Sequence, residues 1–309
     1  MKQLLAILLL LMQPLMAASH PWSQAAPADL VRDAVLPDTV LDEIPCHWRP
    51  ALTPIAEQLV RDCQDARSAV LCLAGKLSQA TGVYYTPQRR KHNMNALEAL
   101  AEKKVSCTGQ SILLVCALRS VDIPARAVGI LTWNHLRGNH TWVEAWFDGS
   151  WHMIEFNERD FNTPWVMENI GMLNPALPLQ HIKAATPTGS STWYPPNSNL
   201  PHIPAEDVTA RYRKLALNWY EKHGLPAGTQ RLLIDLQPRH LSPLRIELLN
   251  EQAIAIDTSQ LPTLRDDMRY FTRLALPRQG KYYLRIQGSN RMVPVSATES
   301  AVQILRLAH

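Results

Sequence analysis

The stretch Val105-Ser-Cys-Thr-Gly-Gln-Ser-Ile-Leu-Leu-Val-Cys-Ala-Leu-Arg119 decides how the rest of the chain is read. Ser106 has the chemistry of a helix N-cap, and Ile112 to Leu118 is apolar on every face. A helix that is apolar all round is a buried one. Cys107 therefore belongs to the first turn of a buried central helix. There the unpaired backbone N–H groups and the positive end of the dipole favour thiolate over thiol. An isolated cysteine is more often a small buried hydrophobe. What shifts this reading is a histidine that can serve as base, His140, in Gly138-Asn-His-Thr-Trp-Val-Glu-Ala-Trp-Phe147.

His140 to Phe147 reads as an aromatic strand, Asp148-Gly149 as a two-residue hairpin turn, and Ser150 to about Asn157 as the returning strand. That turn pairs Trp146 with Trp151, Glu144 with Met153, Trp142 with Glu155 and His140 with Asn157. Side chains alternate between faces, so His140, Glu155 and Asn157 are expected on one side. Asn157 would lie opposite His140, and Glu155 on the diagonal at roughly 7–8 Å between Cα atoms. A slip of one residue would bring Glu158 instead. Thiolate, imidazole and an acid or amide behind it form a nucleophile, base and orienter.

Taken together, Ser106-Cys-Thr-Gly109, Ile123-Pro-Ala-Arg126, Asn139-His-Thr-Trp-Val-Glu144 and Gly149-Ser-Trp-His152 resemble the transglutaminase-like cysteine-enzyme core. Within that superfamily the chain looks most like exported bacterial transglutaminase-domain proteins, to which Tyr85 to Lys91 is also similar. The resemblance spans about residues 83 to 172. It implies an α+β fold with a papain-like core, a buried helix against an antiparallel sheet. By motif position Cys107 is the nucleophile and His140 the base. The superfamily's acid falls four residues after the hairpin tryptophan, which is Glu155. The closer subgroup tends to carry it further on, at Glu158. Glu155 is the expected third member, with Glu158 and Asn157 as alternatives. The implied chemistry is acyl transfer on an amide or peptide through a thioester, with no cofactor and no metal. Hydrolysis of an extracytoplasmic peptide or cell-wall-type amide is expected ahead of protein crosslinking, because no calcium-loop pattern is present.

The 309 residues carry 46% hydrophobic content, enough for a substantial core, and two units are expected rather than one. Residues 1–19 have the pattern of a secretory signal: Lys2, an apolar Leu4 to Leu11, then Ala17-Ala-Ser19. The protein is expected to be exported, periplasmic or extracellular, with no integral membrane segment after cleavage. The formal net charge of +4 falls to +3 without Lys2, too weak for a nucleic-acid partner. The expected partner is a peptide or protein amide substrate. Five cysteines, Cys46, Cys63, Cys72, Cys107 and Cys116, leave at least one thiol unpaired in an oxidising compartment. Pairing within Cys46, Cys63 and Cys72 would leave Cys107 as the reactive thiol beside a buried Cys116.

After the leader, residues 20–100 read as helical. Short helices are expected at 27–35, 38–44 and 95–102, with one long helix or two over 53–81. The catalytic core is placed at 101–172. A Pro-rich wrap and a helix from Ala205 to His223 follow over 173–225. Short strands at 231–236, 244–249, 253–256, 270–276, 282–286 and 302–307 then predict a small β-sandwich over 226–309. Trp142 and Trp165 are candidate substrate contacts. Two other readings compete. His135, His140, His152 and Glu144 cluster in sequence as a metal site would, but without an HExxH pattern. A non-catalytic binding protein on the same core would normally lose its Cys or His, and this chain keeps both.

Overall fold

The computed structural model describes residues 20–23, 26–133, 138–171, 173–222, 228–264, 272–298 and 302–308. The leader, His135 and the His223 end of the expected helix lie outside these. No helix among the described residues is long and apolar enough to cross a membrane. The chain divides into two units, each built from separate stretches of sequence. One comprises Met1–Gly129, Thr141–Phe161 and Lys183–Glu206; the other comprises Ile130–His140, Asn162–Ile182 and Asp207–His309. The architecture is α+β.

In the first unit the helices begin where side chains can satisfy free backbone N–H groups. The expected stretch 53–81 is two helices, Arg49–Val60 and Ala66–Thr81. Asp65 breaks it, accepting from Ser68 N–H while the Ser68 hydroxyl accepts from the Asp65 N–H. Asn95 and Glu98 form the same reciprocal cap on Ala96–Glu102. Asp38 to Ile44 is not a helix. The Glu43 carboxylate takes the N–H groups of Val40 (2.6 Å) and Leu41 (2.8 Å), offering that backbone a local alternative.

The helix Cys107–Arg119 is central, with every residue from Ser111 to Arg119 buried. Its apolar run leaves no solvent face, so burial rather than amphipathic pattern holds it. Gly109 lets it start against Val105, since a Cβ there would come within 3.0 Å of the Val105 side chain. Arg119 closes it from inside the protein. Its guanidinium donates to the carbonyls of Ala34 (3.0 Å), Ala125 (3.1 Å), Pro37 (2.9 Å) and Thr39 (2.8 Å). Burial pulls its pKa down to about 10.

Two short strands, β1 (Tyr84–Tyr85) and β2 (Lys104–Val105), pair in parallel and deliver the chain to Ser106. A six-stranded sheet follows. Its strands are β3 (Ala125–Ile130), β4 (His140–Phe147), β5 (Ser150–Ile154), β6 (Ile182–Ala185), β7 (Ser191–Thr192) and β8 (Pro204–Asp207). They run in the order β5-β4-β3-β6-β8-β7. Asp148 (φ 50°) and Gly149 (φ 74°) both take the left-handed conformation that a tight hairpin turn requires. The resulting register pairs Trp146 with Trp151 and Glu144 with Met153, as expected. The Pro-rich stretch is less irregular than its composition suggests. It supplies β6, β7 and β8; Pro204 opens β8 and the other prolines lie outside the strands, where no ladder N–H is needed.

In the second unit a helix Pro164–Gly171, a 3-10 turn Pro178–Gln180 and a helix Thr209–Lys222 precede two sheets. Three strands, β9 (Thr229–Gln237), β12 (Thr272–Pro277) and β15 (Val302–Ala308), form one in the order β12-β9-β15. Four more, β10 (Arg245–Leu249), β11 (Ala255–Gln260), β13 (Tyr282–Ile286) and β14 (Val293–Val295), form the other, ordered β11-β10-β13-β14. Alternate residues Leu232, Ile234 and Leu236 of β9 meet Ile246, Leu248, Leu274, Leu276 and Leu284 in one core. This is sandwich packing read from period-two patterning. One pair departs from it: β15 runs parallel to β9.

Candidate active site

Ser106 caps the central helix, its Oγ accepting from Gly109 N–H at 2.9 Å. The same hydroxyl donates to the His92 carbonyl, which ties the cap to the preceding loop. Cys107 is thus the first helical residue, half-buried, with its backbone N–H among those that the helix cannot satisfy internally. The next turn fixes the helix to β4. Thr108 Oγ1 lies 3.0 Å from Thr141 Oγ1, and the Ser111 hydroxyl donates to the Thr141 carbonyl at 2.9 Å. Thr141 follows His140 in the strand, so the helix start is tied to the residue beside the candidate base.

His140 opens β4 and is 3% exposed. Its ring meets two tryptophans. The Trp165 ring centroid is 4.7 Å away with planes at 56°, and that of Trp133 is 6.4 Å away at 31°. Trp133 and Trp165 touch edge to face at 5.9 Å. The Trp133 backbone N–H donates to the Gly138 carbonyl, and the Trp133 carbonyl accepts from the Gln180 side chain.

The hairpin does not continue as far as expected. Strand pairing is present through Val143 with Ile154, and β5 ends there. Asn157 is exposed, turned left-handed at φ 68°, and gives its N–H to the Ala74 carbonyl at 2.8 Å. It therefore leaves the ladder and does not stand opposite His140. Glu155, the first residue after β5, is 8% exposed. Glu158 is half-buried, and its carboxyl is pushed above the usual carboxylate range by burial first, then by the neighbouring Glu155 and Asp160. Of the two tryptophans expected to meet substrate, Trp142 is wholly buried and has no surface to offer. Trp165 is partly exposed beside His140.

Of the residues weighed for a metal, Glu144 and His152 have other partners. Glu144, fully buried, pairs with Arg126 Nε at 2.9 Å. Arg126 also reaches Glu206 at 2.9 Å and lies 4.2 Å over the Trp151 ring. His152 stacks on Phe147 at 3.8 Å, and burial lowers its pKa.

Among the described residues no disulfide joins Cys46, Cys63 and Cys72, so the pairing expected among them is not formed. Burial and the adjacent Cys72 thiol push Cys63 up to about 11. Burial also raises Cys116 far above an ordinary thiol.

Residues 53–156 match the sequence profile of the transglutaminase-like superfamily. No curated protein matches the chain. Among solved structures, a cysteine-protease candidate from Cytophaga hutchinsonii is 17% identical with a TM-score of 0.31, over 51% of this chain and 58% of its own. Red sea bream transglutaminase is 12% identical with a TM-score of 0.38, over 88% of this chain and 64% of its own. The chain thus spans less than two thirds of either, and both superpositions are partial.

Proposed function

We propose that this chain, whose residues 53–156 match the transglutaminase-like superfamily, is a cysteine-dependent enzyme that hydrolyses amide or peptide bonds outside the cytoplasm by acyl transfer. The observation that supports this best is the anchoring of the Cys107 helix start to Thr141, the strand neighbour of His140. Cys107 and His140 both fall inside the matched span, as does Glu155, whereas Glu158 lies two residues beyond it.

In this reading the Cys107 thiolate attacks the carbonyl carbon of the substrate amide. Charge that develops on the oxygen faces the N–H groups at the helix start, the Cys107 N–H among them. His140, as imidazolium, gives its proton to the departing amine, and an acyl thioester remains on Cys107. His140 then takes a proton from water as that water attacks the thioester. The acid leaves, and the thiolate and imidazolium are restored. Glu155 orients the ring. A lysine amine in place of water would leave a crosslink instead of an acid.

The test is brief iodoacetamide treatment of the full chain at about pH 6 without reductant, followed by peptide mass mapping. An ordinary thiol, with pKa near 8.5, is about 0.3% ionised there, so only an activated thiolate labels quickly. The expected result is selective labelling of Cys107, lost in His140→Ala. Inert Cys107 in the native protein would overturn the proposal.

A further inference from the structure

We propose that the β-sandwich strands position the candidate base: Arg231 and Arg273 hold Glu168, and Glu168 holds the helix that lays Trp165 against His140. The inference rests on the acyl-transfer reading for the role of His140, but its geometry belongs wholly to the second unit.

Trp165 and Glu168 are three residues apart on the helix Pro164–Gly171, hence on neighbouring turns of one face. Asn169, one turn on from Trp165, donates from Nδ2 to the Trp165 carbonyl at 2.8 Å, which stiffens the turn carrying the indole. Glu168 is only 2% exposed. Arg273 Nε on β12 donates to its Oε2 at 2.7 Å, and Arg231 Nε on β9 lies 3.1 Å from its Oε1. The register of these strands sets Arg231 opposite Ala275, so Arg273 is its diagonal neighbour on the same face. That face is opposite the one on which Leu232, Ile234 and Leu236 enter the sandwich core.

A buried carboxylate held by two partly exposed arginines is a poor way to gain stability, because desolvating the carboxylate offsets much of the attraction. It is an effective way to fix one arrangement, since a shift of the helix would strand a charge. What the helix presents at its other end is Trp165, 4.7 Å from a histidine that is itself almost wholly enclosed. The arginine pair therefore sets where the indole rests, and the indole sets the orientation of the ring. Trp165 is a positioning residue in this account, and Glu168, Arg231 and Arg273 act through it.

Tryptophan emission tests this on the full chain, because a protonated imidazole against an indole quenches it. The difference between wild-type and Trp165→Phe emission, followed from pH 5 to pH 9, isolates Trp165. It should show a step as His140 titrates, and the step should vanish in His140→Gln. In Arg273→Gln the step should fall to less than half its amplitude while far-UV circular dichroism is unchanged, and the pH profile of Cys107 alkylation should shift with it. If Arg273→Gln does not fold, Arg273→Lys serves, keeping the charge without the fork and giving an intermediate amplitude. A wild-type step that Arg273→Gln and Arg273→Lys leave intact overturns the proposal, as does the absence of any step in the wild type. A step that responds to Arg273 beside an unreactive Cys107 sinks the acyl-transfer reading alone.

Discussion

Ser111 donates its hydroxyl to the carbonyl of Thr141 across 2.9 Å, inside the protein, and joins the second turn of the Cys107 helix to the first residues of β4. Both groups are cut off from water, so the bond cannot be exchanged for a hydrogen bond to solvent. Ser111→Ala should cost about 1–3 kcal/mol, because the Thr141 carbonyl loses its side-chain donor in a dry site. The same substitution should slow Cys107 alkylation at pH 6. Urea denaturation and timed labelling check the two effects separately.

The two acids near the hairpin end separate by environment. Glu155 follows β5 directly and is buried, whereas Glu158 sits past the turn made at Asn157. Removing the orienter of a catalytic histidine typically costs tenfold or more, so Glu155→Gln should lower the labelling rate of Cys107 by about that much. Glu158→Gln should change it less than twofold. Reversal of the two would transfer the orienting role to Glu158.

Cys63 gives the stability of the fold a pH dependence with a definite sign. Its folded pKa, raised to about 11 by burial and by Cys72, exceeds the value of an exposed thiol. Between about pH 8.5 and 11 the folded state therefore holds more protons than the unfolded one, and stability falls as pH rises through that window. Below it the contribution is complete. Denaturant midpoints of wild type and Cys63→Ser across the window check this, and the serine variant should lose part of the slope.

Arg119 spans four backbone carbonyls with one guanidinium. No other side chain presents donors in that planar fork. Arg119→Met keeps the stem but orphans those carbonyls, and should destabilise by about 3–4 kcal/mol. Arg119→Lys should recover only part. Thermal and urea unfolding would show a smaller loss if water reaches the carbonyls.

Gly189 tests how closely the last strands of the six-stranded sheet pack. A Cβ there would collide with the backbone of Ala205, the partner of Ser191 in the β7–β8 ladder. Gly189→Ala should cost about 1–3 kcal/mol, with faster hydrogen exchange confined to β7 and β8.

The parts of the fold legible in the sequence were those carried by local pattern. The run Ile112 to Leu118 identifies a buried helix, and Asp148-Gly149 sets a register that holds from Phe147 and Ser150 to Val143 and Ile154. The same reasoning overshot by three residues. Nothing local marks where Asn157 leaves the ladder, because its N–H is claimed by Ala74, far away in sequence. Strands β6, β7 and β8 escaped notice for a related reason: they are two to four residues long and exist through pairing, not propensity. The Glu168 anchor had one available signal. It is a charge set in the apolar run Val166-Met-Glu-Asn-Ile170, and a charge there asks for a buried partner. Its arginines, 63 and 105 residues downstream, could not be named from spacing.

Glu168 and Arg273 lie 105 residues apart in the chain. A contact of that separation forms late, after the loop between its ends has been closed. As the polypeptide emerges from N- to C-terminus, Cys107 and His140 are both synthesised long before Arg231 and Arg273. Cys107 and His140 thus precede the clamp, so under the proposed reading the reactivity of Cys107 is expected only once the last strands have been made. The order of residues along the chain therefore puts the clamp among the last contacts to be made.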